Sequence, residues 1–510
     1  MMNQPEPNRL ARSVLYLARF MLETKTALSI GSGGADNVFD HPIVRDANGL
    51  PQIPGSSLAG VLRHLWITDH PDTANQTADD QQEKAADGLF GFHHRDKGNA
   101  SRIEVAACAL QDQDGKPVEG LLLGKERQRL HDPLLAAALI SRADPNFRDR
   151  VRLTHRGVAA HLGKFDRGLL PAGYRFSGEL RLWSKKDDLD WEAVLALLAD
   201  PRLRLGGGTR AGLGAMTLKK LHRATFDLTD ASDIKQFQQL SPALGAVDGL
   251  EELKNLTPAL AAGVQKLCIK LNPKDFWRIG QGDAPIGQYE KNEPTLLPKQ
   301  ERRVVWQENG ASVRGKFSAQ QVLVPGSSIK GALAHRTAFH WNVLNQKFVD
   351  DLNADQIQKW DKSEHCAGVM ELFGFAKNNA ELVKEGDQDN TGQAGRVIID
   401  DVYVNISAED VNKYVKEMVH NSIDRFTGGV RNRMLFTEEL IFYRSISLTI
   451  TLLPGVTEAT AYQAFARALS DLCSGSLAIG GGVTKGHGAF SGEPDQATRE
   501  WMTAQGVCVQ

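Results

Sequence analysis

Along this chain, strand-like and helix-like runs follow one another in an order that occurs twice. Apolar and polar positions alternate in part, with many β-branched and aromatic residues, over 13–22 (SVLYLARFML), 174–182 (YRFSGELRL), 216–228 (MTLKKLHRATFDL), 266–273 (KLCIKLNP) and 445–453 (SISLTITLL). That period of two predicts half-buried strands. Helical signals follow Pro54-Gly55-Ser56-Ser57 and Pro325-Gly326-Ser327-Ser328, and return over 190–200 (DWEAVLALLAD) and 459–472 (ATAYQAFARALSDL). The mixture predicts an α+β protein.

The repetition is detailed. IPGSSLAGVLRHLW at 53–66 returns as VPGSSIKGALAHRT at 324–337, 271 positions on from Pro54 to Pro325. GLFGF at 88–92 is answered by ELFGF at 371–375, and SRIEVAACAL at 101–110 by GRVIIDDVYV at 395–404. A basic segment at 154–168 has its counterpart at 420–442. LRLGGGTRAGLGAM at 203–216 becomes LAIGGGVTKGHGAF at 477–490, 274 positions on from Gly206 to Gly480. One order at nearly constant spacing indicates a tandem duplication. It predicts a first domain over 1–226, a polar, helix-prone linker over 227–263 and a second domain over 264–510. The polar stretch 376–394 reads as an inserted, mobile loop.

Composition narrows the function. With 41% apolar and 24% charged residues in 510, large cores can form. A net charge of −2 excludes a protein that coats nucleic acid by overall positive charge. Any such site is a local basic groove, balanced by acidic surface such as the loop around Asp79 and Asp80. Cys108, Cys268, Cys366, Cys473 and Cys508 form no C-x-x-C pair. No zinc module is therefore expected, and a reducing cytoplasm fits. No secretory leader and no apolar run long enough for a membrane span are read.

Each Pro-Gly turn should let a serine cap the following helix, leaving N–H groups and the positive dipole end facing an anion such as a phosphate. Gly206, Gly207 and Gly208, like Gly480, Gly481 and Gly482, follow apolar strands and let backbone approach a ligand. A cation follows each run, Arg210 or Lys485. Neither run is a P-loop, because no G-K-[ST] follows, and neither opens a helix as a dinucleotide fingerprint would. Gly33-Gly34-Ala35-Asp36 lacks the second acid of a nucleotide-cyclase palm. His131-Asp132 precedes Pro133 and reads as a turn. His93 and His94 point apart on a strand.

In combination, PGSS-[LI]-x-G, LFG, the basic segments and the terminal glycine loop resemble the RAMP superfamily of CRISPR-associated proteins. The chain resembles in particular the backbone subunit of type III CRISPR effector complexes, as two fused copies of the subtype III-D kind. The resemblance implies two tandem RRM-like (ferredoxin-like) domains with inserted loops and a cytoplasmic setting. It implies crRNA, target single-stranded RNA and other type III effector subunits as partners. It also implies cleavage of guide-paired RNA with Mg²⁺ or another divalent metal.

Asp40, before His41-Pro42-Ile43, matches the family's aspartate needed for target cleavage. A carboxylate there can help deprotonate the attacking 2′-OH or hold the metal. His41 is a candidate acid or base. Asp46 is a rival carboxylate whose R-D-x-x-G context reads as a turn. The second half lacks the D-x-P step, and Asp283 is its nearest acidic candidate. One cutting site, at Asp40, is therefore expected.

The implied RNA contacts in the first half are Ser56, Ser57, Arg63, Arg156, Gly206 to Gly208 and Arg210. In the second they are Ser327, Ser328, Lys330, Arg336, Arg425, Gly480 to Gly482, Lys485 and His487. The inserted basic residues Arg302, Arg303, Arg314 and Lys316 are expected to touch RNA or a neighbouring subunit. Two alternatives stay open: a non-catalytic crRNA-binding scaffold, and a crRNA-processing endoribonuclease of the same superfamily with a histidine-centred site.

Overall fold

The first half runs β1 (Val14–Thr24), α1 (Gly55–Asp69), α2 (Ala85–Phe90), β2 (Ile103–Val105), β3 (Ala109–Leu110), α3 (Pro133–Ala138), β4 (Phe147–Leu153), β5 (Ala159–Gly168), β6 (Arg175–Ser184), α4 (Asp190–Leu197), β7 (Ala211–Gly212) and β8 (Met216–Asp227). Next come α5 (Ala231–Gln239) and β9 (Glu251–Glu252). The second half opens with β10 (Gln265–Pro273), β11 (Phe276–Trp277), β12 (Gln300–Glu301), β13 (Val304–Asn309), β14 (Ser312–Phe317) and β15 (Gln321–Val324). It continues with α6 (Gly326–Leu344), α7 (Ala367–Phe373), β16 (Val397–Asp400), β17 (Val402–Val404), β18 (Val415–His420), β19 (Phe436–Phe442), β20 (Ile446–Leu452), α8 (Ala461–Ser474), β21 (Phe490–Pro494) and α9 (Gln496–Ala504). This computed structural model describes residues 12–34, 40–69, 85–94, 97–139, 146–154, 157–254, 256, 263–289, 293–310, 312–351, 353, 366–375 and 392–508. Residues 376–391 of the inserted loop 376–394, and the acidic pair Asp79 and Asp80, lie outside the described residues.

β1 is buried along most of its length because it lies inside an antiparallel sheet of order β9-β8-β1-β6-β2, with β3 also on β6. The second sheet has the order β21-β10-β20-β16 and repeats the register: Val105 lies opposite Leu180, and Ile399 opposite Ile450. Helix α1 buries Leu58, Leu62, Leu65 and Trp66, the i, i+4, i+7, i+8 stripe of a helix with one covered face. Each half has its own apolar core, so the architecture is α+β, built twice.

Two exchanges join the halves. β7, inside the first glycine-rich loop, pairs in parallel with β16, Ala211 opposite Ile399 and Gly212 opposite Asp400. The outer strand of the second sheet is thus supplied by the first half. In the other direction, the β13–β14 hairpin reaches back to the first core. Val304 N–H donates to Ala172 O (2.9 Å) and Trp306 Nε1–H to Gly173 O (2.7 Å), while the Arg175 guanidinium lies 4.3 Å over the Trp306 ring. The inserted cations make contacts within the chain. Arg314 pairs with Asp114 of the first half (2.6 Å), and Arg302 and Arg303 lie over Phe317 and Tyr403. Lys316 is exposed. The described part of 227–263 packs on the first half: Arg19 donates to Ser241 O (2.7 Å) and Ala246 O (2.6 Å), and β9 extends the first sheet.

Candidate nucleic-acid interface

The Pro-Gly-Ser-Ser motif is repeated because each helix starts against a strand. A Cβ at Gly55 would lie 2.0 Å from the Val105 carbonyl oxygen, and one at Gly326 2.3 Å from that of Ile399. Only glycine permits that approach. The serines do not cap as expected. Both helices begin at the glycine, and Ser57 and Leu58 donate their N–H groups to Pro54 O (3.0 and 3.3 Å). Helix α6 makes no side-chain cap at Pro325, and its first N–H, from Gly326, donates to the Asp401 carboxylate (2.8 Å). The anion at the second helix start is the protein's own. Ser56 and Ser328 are exposed, Ser57 and Ser327 half-buried. Arg63 pairs with Asp87, and Arg336 with Asp471, which His340 also meets at 2.7 Å.

The glycine runs also approach the chain's own backbone. Gly207 N–H donates to Ser29 O (2.7 Å) and Gly481 N–H to Arg278 O (2.8 Å), so Ser29 and Arg278 are counterparts. Over the middle glycine of each run lies a guanidinium, that of Arg167 or Arg278. Their electrostatics differ. Buried Glu438 accepts from Arg278 Nε (2.8 Å), meets His420 Nε2 (3.0 Å) and lies 3.8 Å from Lys485. Burial opposes its charge, but Arg278, Lys485 and His420 together hold the Glu438 carboxyl below its ordinary pKa. The second loop is therefore neutralised from within. His487 is buried and packs against Phe276 (ring centroids 6.0 Å).

Among the described residues the first loop has no such acid. Gly168 N–H donates to His41 O (3.0 Å) and Glu439 N–H to Leu296 O (2.9 Å). By that correspondence Arg167 stands where Glu438 stands in the second half. Arg150 and Arg167 from the β4–β5 hairpin, Arg210 after the glycines, Lys330 of α6 and Arg396 before β16 gather where the halves meet. Among the described residues, none of these five has a carboxylate at salt-bridge distance. Burial, then the neighbouring Arg204 and Arg396, pushes Arg210 down to about 10. Burial, then Arg167 and Arg148, takes Arg150 to about 10. Lys330, whose Nζ donates to Phe373 O (2.8 Å), falls to about 8 through burial and the charges of Arg210 and Arg150. The Nε atoms of Arg167 and Arg396 are buried without a partner. Half-buried cations without a counterion are costly, and an incoming anion relieves that cost.

Reading the sequence alone singles out Arg210 and Lys330 but misses Arg150, Arg167 and Arg396. The alternation of Arg148, Arg150 and Arg152 on one strand face was the available signal. Arg156 lies outside the described residues. Arg425 is exposed on a loop organised by Asp424, whose carboxylate accepts the N–H groups of Phe426 and Thr427 (3.0 Å each). That loop holds Phe426 99% exposed, and the β4–β5 hairpin holds Leu162 91% exposed. Such exposed apolar side chains are out of place on a surface that meets only water.

Asp40 and Asp166 grip one another. Asp40 N–H donates to Asp166 Oδ1 (2.8 Å), and Asp166 N–H to Asp40 Oδ2 (3.1 Å). Asp166 and Arg167 are neighbours on β5 and so face opposite sides, one toward Asp40 and the other toward Gly207. In the second half Thr295 N–H and Leu296 N–H donate to Thr437 O (3.0 and 3.2 Å), which puts Thr295 in the place of Asp40. Asp283 lies elsewhere, 84% exposed and paired with Lys299 (3.1 Å). The His41 ring meets Phe165 edge-on at 6.3 Å. Asp46 closes a turn by accepting the N–H groups of Asn48 (2.9 Å) and Leu50 (2.8 Å). Asp132, beside His131, caps α3.

Among the described residues no three His, Cys, Asp or Glu side chains converge as a metal site. Two carboxylates at Asp40 and Asp166 still fit Mg²⁺, which takes one or two from protein and the rest from water and substrate phosphate. Among the described residues no helix is long and apolar enough to cross a membrane.

Fold and site thus define a two-lobed α+β protein with a cationic junction and a carboxylate pair on the hairpin beside it. The RAMP superfamily model matches residues 21–217 and 319–491, most of both halves. The chain belongs to the RAMP superfamily. No curated protein matches it.

Proposed function

We propose that this protein is a backbone subunit of a type III CRISPR ribonucleoprotein, built from two RRM-like domains over 1–226 and 264–510, that binds crRNA and cleaves the paired target RNA. The observation that carries the reading is the group Arg150, Arg167, Arg210, Lys330 and Arg396, none with a carboxylate at salt-bridge distance among the described residues, in a chain of net charge −2. Such a run suits successive phosphates, whose contacts position an RNA and leave its sequence to base pairing. Phe426 and Leu162 suit wedges against bases at the edge of a guide–target duplex.

Asp40 and Asp166 would hold the divalent ion, which supplies charge stabilisation at the reacting phosphate. The Asp40 carboxylate would orient that site and accept the 2′-OH proton of a target nucleotide lifted from the duplex. Thr295 lacks a carboxylate, which supports a single cutting position in the first half. The test is cleavage of complementary single-stranded RNA by the guide-loaded complex with Mg²⁺, wild type against Asp40→Ala. Loss of one product with RNA binding retained is expected. An unchanged product pattern would favour the scaffold alternative.

A further inference from the structure

Tyr443 follows β19 in a conformation that tyrosine avoids. Its φ is 52°, in the left-handed region where glycine sits without strain, and the residue is 61% exposed. A turn alone would favour glycine there, and an aromatic ring facing only water gains nothing. Strain of this kind persists where the surrounding structure holds a residue for use. What holds Tyr443 is a ladder of rings. Its centroid lies 4.0 Å from that of Phe442, Phe442 lies 4.9 Å from Phe276, and Phe276 lies 6.0 Å from His487 of the second glycine loop. Phe276 is opposite Phe442 in the β11–β19 pair and His487 is buried, so strand pairing and burial fix the inner rungs. The outer ring is presented on a rigid support.

Its surroundings are cationic. Val415 lies opposite Ile441, so the chain just before β18 runs beside the chain just after β19. Tyr414 lies there, with Lys413 Nζ 4.7 Å and the Arg444 guanidinium 5.2 Å from its ring centroid. An Arg444 Nη2–H donates to Asn405 O (2.9 Å), which holds that guanidinium in place. Lys413, and then Arg444, keep the Tyr414 phenol below its ordinary pKa. Among the described residues neither cation has a carboxylate at salt-bridge distance. Asp410, whose charge acts on Lys413, accepts from Ser407 Oγ–H (2.8 Å). An exposed ring beside two cations without a counterion suits a nucleotide, which offers a flat base to stack and a phosphate to neutralise.

We propose that Tyr443, with Arg444 and Lys413, is a stacking site for a nucleotide of single-stranded RNA, separate from the cationic junction. A ring stacks on a base that has lost its own neighbours, so the site takes unpaired strand. The six residue pairs of β18–β19 set it roughly 17 Å from the end of the hairpin that leads to Phe426. The strand it takes is therefore RNA that has left the guide–target duplex. That placement rests on the function proposed above, whereas the stacking itself does not.

The test is binding of a short single-stranded RNA containing 2-aminopurine to the full chain without guide, read as quenching of the base's fluorescence. Wild type should quench it. Tyr443→Ala should weaken binding about tenfold and abolish the quench, and Tyr443→Phe should retain both. Arg150→Gln should lower affinity yet leave the quench at saturation. Tyr443→Gly should abolish the quench without lowering the thermal midpoint, because glycine accepts the left-handed backbone. Adenosine monophosphate should compete only at far higher concentration than the RNA. A quench that survives Tyr443→Ala, or one lost with Arg150→Gln, would place the stacking elsewhere and overturn the proposal. A lowered midpoint in Tyr443→Gly would make the ring a structural prop. Equal competition by the mononucleotide, or a face that binds a protein and no RNA, would overturn it as well.

Discussion

Arg148 and Asp401 stand 253 positions apart, one in each half, and meet with side-chain exposures of 6% and 0%. Glu301 completes the cluster at 2.7 Å from Arg148. Burial opposes the charge of Arg148, but Asp401 and Glu301 hold its pKa well above the ordinary value. Removing one partner strands the others. Arg148→Met should lower stability by about 3–5 kcal/mol, read as a shift in the urea midpoint. A loss within error would mean that the halves are held by the β7–β16 pairing and the β13–β14 hairpin without this ion cluster.

Gly326→Ala tests the repeated helix start. Its Cβ would sit 2.3 Å from Ile399 O, and relief would pull Gly326 N–H from Asp401. Destabilisation of about 1–3 kcal/mol or more is expected. Ser327→Ala, which removes no cap, should cost a few tenths by the same thermal measurement.

Arg150→Gln and Arg210→Gln should each weaken crRNA binding. Each should also reduce the slope of log K against log salt by about 0.7, the share of one phosphate contact on a single strand. Both should raise the stability of the free chain, because each removes a half-buried cation facing like charges. Lys485→Gln should change the slope far less, since Glu438 already faces that cation.

Lys330 gives the binding a pH dependence. Its pKa in the free protein is about 8, below that of an unfolded lysine. Between that value and the ordinary one the unfolded chain binds more protons, so the stability of the free protein rises with pH across the window. RNA favours the charged form, so affinity should fall as pH rises above about 8, by up to tenfold per unit for this contact. Lys330→Gln should flatten that fall in a binding titration. A decline unchanged in the variant would assign the effect to another group.

Much of this was legible before any coordinates. The doubled PGSS motif, the strand order and the glycine loops give two α+β halves because each rests on local chemistry: a turn, a period, a close approach. What stayed hidden depends on long-range pairing. Nothing near Gly326 announces that Asp401 will cap it, 75 positions on. The equivalence of Asp40 with Thr295 shows only through shared backbone bonds, because the inserted segment before 324 breaks the alignment by eye. Glu438, which silences one glycine loop, lies in the segment 420–442, which reads as basic.

The parallel pairing of β7 with β16 also bears on how the chain is made. Residues 211–212 leave the ribosome well before 399–400 and can be set within a finished first half. The second half then assembles on an edge already in place. Synthesised alone, it would present β16 bare, with Asp400, Asp401 and Glu301 lacking their counterions. The fusion of the two halves thus acts as a folding template as well as a tether.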